Sequence, residues 1–292
     1  MSRQKDLDGG PATRRDSRGS GRGGVVVITG ASSGIGRAIA QQVAARAKEV
    51  ALVARRADRL EELAEEMKLV NPALVTRIYP CDLGDRRARD ATIAELCHDL
   101  PRIDVLVNCA GLGDLGVFDR SSLEKQLGMI ELNVSALVAL THAVLPSMVE
   151  RGAGSILMVS SGFGLTFLPG LSTYIGTKHF VTGFTEALRL DLAGTGVYVG
   201  QICPGPVATE FEQGTGNFTG QKVPAFLELT AEECARACIR TLDRRRALVV
   251  PHPLIWLAIW IGARSPRWLT RLVLAPVGKL LRRRQLDALT GP

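Results

Sequence analysis

Tyr174 and Lys178 stand four positions apart in STYIGTKHFVTGF, a stretch with the pattern of a long helix. At that spacing a phenol and an ammonium rise from one helical face, one turn apart. An ammonium beside a phenol favours the phenolate, so such a pair can release and recover a proton. The same spacing also occurs on ordinary amphipathic surfaces, and the rest of the chain must supply a reason for it here.

Two further clusters suit an anion. TGASSGIG, residues 29–36, leads from a β-branched run into a helical one. Gly30, Gly34 and Gly36 permit a tight turn, close approach of backbone to a pyrophosphate, and close packing of helix on strand. Ser32, Ser33 and Ile35 complete the turn, and the helix N-terminus favours negative charge. The spacing is TGxxxGxG rather than GxGxxG. The second run ends in ALVARRADRL, with Arg55 and Arg56 and no acid before Asp58. An acid at this place holds the ribose hydroxyls of NAD, whereas a base accommodates the 2′-phosphate of NADP. The expectation is NADP(H), with Arg55 the first choice for the phosphate and Arg56 the second. The alternative is that both arginines solvate a helix start, where a cation opposes the macrodipole.

These clusters need elements to hold them. From Val25 onward short β-branched runs alternate with helical patterns, the signature of βα units and a parallel sheet. Strands are expected over 25–29, 49–54, 75–80, 103–108, 155–160, 197–202 and 247–250, and helices over 34–47, 58–69, 85–99, 122–150, 173–193 and 230–242. Together they give one α/β domain, residues 25–250: a doubly wound, seven-stranded parallel sheet with helices on both faces. In such a domain ligands lie beyond the carboxyl ends of the strands, where the strand order reverses.

At 292 residues, 46% hydrophobic and 22% charged, the chain can bury a sizeable core. Six scattered cysteines (Cys81, Cys97, Cys109, Cys203, Cys234, Cys238) form neither a CxxC pair nor a zinc-spaced cluster. They read as buried thiols in a reducing, cytoplasmic compartment, and no metal is expected. Residues 1–24 carry six basic side chains against three acidic and no apolar run. A solvated, disordered leader is expected rather than a signal peptide or a nucleic-acid arm.

TGASSGIG, Asp82-Leu83, NCAG at 108–111, Asn133, Ser161, Tyr174 with Lys178, and PGPVAT at 204–209 occur in order. Together they resemble the short-chain dehydrogenase/reductase family from about Val25 to Val250. By that resemblance Asp82 meets the adenine ring with the Leu83 backbone beside it, and Asn108, Ala110 and Gly111 line the cofactor. Cys109 departs from the usual NNAG. Pro204, Gly205, the Val207 backbone and the Thr209 hydroxyl hold the nicotinamide. The resemblance makes Tyr174 the general acid/base and Lys178 the group that reaches the nicotinamide ribose and supplies charge to the phenol. Ser161, thirteen positions before Tyr174, holds the substrate oxygen, and neighbouring Ser160 points to the opposite face of the strand. Asn133 joins Lys178 to a proton relay through water. A homodimer through the helices at 122–150 and 173–193 is also implied.

Beyond Val250 the chain leaves that pattern. Leu254–Ala263 is an apolar run of ten residues, well short of the ~20 needed to span a bilayer. Leu254–Arg284 holds seven basic residues, no acid, and all three tryptophans of the chain (Trp256, Trp260, Trp268). Such a composition favours a helix pair lying on an anionic cytoplasmic membrane surface; the alternative is that Leu254–Ile261 packs over the substrate cleft or a partner subunit, and both can hold at once. Phe211, Phe218 and Phe226 lie where the family places its substrate lid. The expected activity is NADPH-dependent reduction of a lipophilic ketone or aldehyde, of fatty-acyl, steroid-like or isoprenoid type. The alternatives are an NAD-linked alcohol dehydrogenase on the same scaffold, a non-catalytic NADP(H)-sensing binding protein, and a membrane-recruited scaffold.

Overall fold

The central Val/Ile/Leu runs, over 25–29, 49–54, 105–108, 154–159 and 197–202, become strands buried on both faces, as a parallel sheet requires. The computed structural model describes residues 23–211 and 224–290. Its strands are β1 (Val25–Thr29), β2 (Glu49–Ala54), β3 (Val75–Pro80), β4 (Val105–Asn108), β5 (Gly154–Val159), β6 (Val197–Ile202), the short β7 (Val207–Ala208) and β8 (Leu229–Thr230), and β9 (Leu248–Val249). Seven of them form one parallel sheet in the order β3-β2-β1-β4-β5-β6-β9, while β7 and β8 pair separately. Strand order reverses between β1 and β4, so their carboxyl ends open the cleft.

Helices α1 (Gly34–Ala44), α2 (Ala57–Val70) and α7 (Ala231–Asp243) cover one face. The other carries α3 (Arg86–Asp99), α5 (Leu137–Glu150), which continues α4 (Leu123–Ile130), and α6 (Ser172–Asp191). Of the expected tail, residues 1–22 lie outside the described residues. Gly23 donates to the Arg46 carbonyl at 2.7 Å and Gly24 is buried, so the domain starts two residues before the expected boundary.

The expected long helix over 122–150 is interrupted. Glu131–Ala136 forms a π-helical stretch between α4 and α5, and Asn133 sits inside it. A wide turn of this kind re-aims one side chain within an otherwise regular helix. By length and composition Leu123–Glu150 could cross a membrane. Within the fold its Met129, Leu140, Val144 and Met148 are buried, the character of a helix packed on the core.

Residues 253–290 form two helices, α8 (Pro253–Arg264) and α9 (Arg267–Thr290), hinged at Ser265–Pro266. Pro253 starts α8, where its missing N–H costs nothing. The C-terminal end of α9 is fastened to the domain: Arg282 makes two hydrogen bonds to Asp119, 2.8 and 2.9 Å, and buried Gln285 accepts from the Val117 amide at 2.6 Å.

Candidate active site

The glycines of the first turn have separate reasons. Gly30 and Gly34 adopt φ of +69° and +53°, which side-chain-bearing residues rarely occupy. Gly36 has ordinary geometry, but a Cβ there would collide with the Gly30 carbonyl oxygen, so helix and strand pack this closely only through glycine. Ser33, the N-cap of α1, makes no side-chain capping bond. The first amides of α1 are therefore left for another acceptor, and they face the cleft. Thr29 ties this turn to the next strand end, its hydroxyl accepting from the Cys109 and Ala110 amides at 2.9 and 3.0 Å. Sequence reasoning did not assign Thr29, although it opens the quoted motif.

Both arginines after β2 line the cleft, with different attachments. Arg55 is largely exposed and lies 3.9 Å from Asp82. Arg56, the second choice for a phosphate, is the one tied to the glycine turn: its guanidinium reaches the Ser32 hydroxyl at 3.2 Å. It also donates to Glu210 at 2.9 Å, and Arg59 holds the other Glu210 oxygen. Glu210 thus closes this end of the cleft as a carboxylate between two guanidiniums. Its ionised form is favoured by hydrogen bonds from Arg59 and then Arg56.

At the other strand ends, Tyr174, Lys178 and Ser161 converge. Phe163 N donates to the Ser161 hydroxyl at 3.2 Å, and that hydroxyl stands near enough to the Tyr174 phenol to favour its ionised form. Ser160, by contrast, bonds the Lys178 carbonyl and Thr182 on the far side of the strand, as the alternation required. Lys178 Nζ donates to the Val159 carbonyl at 3.1 Å and lies 5.8 Å from the centre of the Tyr174 ring.

Burial dominates the electrostatics. It pushes the Tyr174 phenol up to about 12, with the Ser161 hydroxyl opposing, and brings Lys178 down to about 8. Burial therefore sets the resting state of the phenol. Desolvation disfavours phenolate and ammonium alike. At neutral pH the phenol holds its proton and the amine is mostly charged.

Two expected site residues stand behind the wall of the cleft. Asn133 is almost fully buried; its amide bonds both the Leu112 amide and carbonyl (2.8 and 2.9 Å) and the Thr177 hydroxyl (3.0 Å). Gly111 lies between it and the lysine: a Cβ there would sit 3.3 Å from Asn133 Oδ1 and 3.6 Å from Lys178 Nζ. Asn108 turns into the core, donating to Thr141 at 3.1 Å, and does not line the cleft as expected. A buried amide at the end of a central strand finds its partner in the packed helix α5. Asp82, Leu83, Ala110, Gly111, Pro204, Gly205, Val207 and Thr209 all line it.

The cleft has a volume of 1380 Å³. Since pockets for one drug-sized ligand run to ~300–1,000 Å³, this one has room for two molecules side by side. Its far end is apolar. Phe163 meets Tyr174 edge-on at 6.4 Å and Phe211 leans on it at 5.7 Å. Ile255 and Ile259 of α8 pack against Gly205 and Gly162, and Leu274 and Leu281 of α9 complete the wall. Of the expected lid aromatics, Phe218 lies outside the described residues and Phe226 is exposed.

Residues 24–219 match the short chain dehydrogenase family. The chain is 32% identical over 255 residues to human dehydrogenase/reductase SDR family member 7, covering 84% of this chain and 75% of that protein. Its fold matches a short-chain dehydrogenase from Sphingobium yanoikuyae in complex with NADPH, with a TM-score of 0.73, 32% identity, and 82% and 93% of the two chains covered. It also matches the bulky-bulky ketone specific alcohol dehydrogenase from Comamonas testosteroni, with a TM-score of 0.69, 27% identity, and 88% and 93% covered. The chain belongs to the short-chain dehydrogenase/reductase family.

Proposed function

We propose that this protein is an NADP(H)-dependent carbonyl reductase acting on a bulky, lipophilic ketone or aldehyde. The observation that carries the reading is the continuity of one cleft: a glycine turn and two arginines at one end, apolar helices at the other, and Tyr174 between them. The residues present fit the cofactor. The uncapped amides of α1 and the glycine turn suit a pyrophosphate, Arg55 and Arg56 a 2′-phosphate, Asp82 and Leu83 an adenine, and Pro204, Val207 and Thr209 a nicotinamide. When bound, NADPH supplies the hydride that the carbonyl carbon accepts.

The chain's own groups do the rest. Ser161 donates a hydrogen bond to the substrate oxygen and fixes it beside Tyr174. As the C=O π bond opens, Tyr174 Oη gives its proton to that oxygen, so the product is an alcohol and the enzyme is left with a phenolate. The Lys178 ammonium stabilises the phenolate and holds the ribose. Asn133 acts as a positioning residue, bonding the Leu112 backbone and the hydroxyl of Thr177, the residue before the lysine. The apolar wall excludes water, which strengthens every charge interaction at the reacting oxygen.

We place the protein in the cytoplasm, in keeping with six free cysteines. We read it as a homodimer through α4–α5 and α6, which expose Leu123, Leu127, Ile130 and Phe180. NADPH oxidation, followed by absorbance against ketones and aldehydes of rising apolar size, tests the reaction. The reading expects NADPH to be preferred over NADH and turnover to rise with apolar bulk. Binding of NADPH with no turnover in either direction would favour a cofactor-sensing protein instead.

A further inference from the structure

Helix α8 is apolar on both sides. Ile255 and Ile259 face the cleft, while Leu254, Trp256, Leu257 and Trp260 are exposed. In water an outward row of this kind is unfavourable, and a large exposed apolar patch marks a surface that something covers. α9 continues it with exposed Trp268 and Leu272. The tryptophans are organised: Trp256 and Trp260 stack at 6.4 Å, and the Arg264 guanidinium lies 4.3 Å over the Trp260 ring.

Charge identifies what the patch fits. Arg264, Arg267, Arg271, Lys279 and Arg283 are exposed around it, and no acid occurs from Leu254 to Arg284. A second copy of the same face would set these cations against their equivalents. Negatively charged headgroups above an apolar layer match both features, cations and tryptophan at the headgroup level and leucine below.

Length excludes crossing by α8. The twelve residues of α8 extend ~18 Å against a hydrocarbon core of ~30 Å. α9 is pinned to the domain by Arg282 and Gln285, so both helices lie along a surface.

The cleft opens on this same face. Ile261, Leu269, Val273 and Val277 line it and are also exposed, so they form its rim, and every one of them is apolar. We propose that α8 and α9 dock the enzyme on an anionic lipid bilayer, with the gap between them as the portal through which a membrane-dissolved substrate reaches Tyr174. The docking stands on its own; the delivery of a carbonyl substrate rests on the reaction proposed above.

The three tryptophans of the chain all lie in these helices, so tryptophan emission, excited selectively, reports on these two helices alone. The test mixes full-length protein with vesicles of phosphatidylcholine, or of phosphatidylcholine with phosphatidylserine, and follows co-sedimentation and tryptophan emission. The proposal expects strong binding to the anionic vesicles only, a blue shift, and quenching by brominated lipid chains. The combined variant Arg264→Glu, Arg267→Glu, Arg271→Glu is expected to lower partitioning on the order of a hundredfold while leaving NADPH binding unchanged. Unshifted emission and no sedimentation with either vesicle, from protein that still binds NADPH, overturns it. So does tryptophan protection that appears only in a concentration-dependent oligomer, which would make the face a contact between copies. Protein that docks on vesicles yet reduces no carbonyl would sink the proposed reaction and leave the docking in place.

Discussion

The two ends of the cleft are built on opposite principles. At the β1–β2 end the wall is backbone: a glycine turn, the amide ends of α1, and strand ends fixed by the sheet. At the far end the wall is side chains on two helices that the sheet does not hold, attached by one face and exposed on the other. A rigid backbone cradle suits a ligand that is the same in every turnover. A cover of side chains, pinned to the domain only near the end of α9, suits one that must be admitted and released.

The largest effect should come from the point where the two halves meet. Tyr174→Phe removes the proton donor and leaves the ring to fill its place, so kcat is expected to fall about a thousandfold with NADPH affinity retained. Equal loss of binding would mean that the tyrosine holds the cofactor rather than the proton.

Next come two neighbours on α8. Ile259→Ala empties a buried position against Gly162 and should cost about 2–3 kcal/mol by denaturant unfolding. Trp260→Ala, on the exposed side, should cost less than about 0.5 kcal/mol in lipid-free buffer. Equal costs would break the distinction between an attached inner face and an unpartnered outer one.

At the rigid end, Arg56→Ala should weaken NADPH about tenfold, as loss of a charge-assisted hydrogen bond does, and leave NADH unchanged. Arg55→Ala should do less if attachment to the turn is what matters, because Arg55 has no comparable link to Ser32.

The pH profile follows from burial. Tyr174 stays protonated far above neutrality, so it does not limit reduction there. Lys178 loses its charge above about 8, and with it the stabilisation of the phenolate left by proton transfer. Reductive kcat/KM is expected to be level below that point and to fall above it, with Tyr174 still protonated. A rise through the same range would place the working proton elsewhere.

Much of this was legible in the sequence where a residue type is the only solution to a backbone problem. Gly30 needs positive φ and Gly36 needs the space of a missing Cβ, so both are marked by their identity. Tyr174 and Lys178 are marked by helical spacing, and Ser161 against Ser160 by strand alternation. What stayed hidden depends on partners distant in the chain. The Glu210 clamp joins residues about 150 apart, Asn108 turns inward to reach Thr141, and the π-helical turn at Asn133 has no composition of its own. The membrane-or-cleft alternative for residues 254–284 stayed open because one apolar helix carries both faces, and period alone does not say what lies on either side.

Glu210 gives the smallest effect and the finest test of the rigid end. Its carboxylate binds Arg56 and Arg59 and is held ionised by them, so a 2′-phosphate arriving at Arg56 must compete with it. Exposed ion pairs are worth little, which sets the scale of the competition. Glu210→Gln should therefore tighten NADPH by about threefold without altering NADH, which has no phosphate to compete. The opposite sign, weaker NADPH in the glutamine variant, would mean that Glu210 orients Arg56 for the phosphate. The cradle would then owe part of its shape to a side chain beyond β7 rather than to backbone alone.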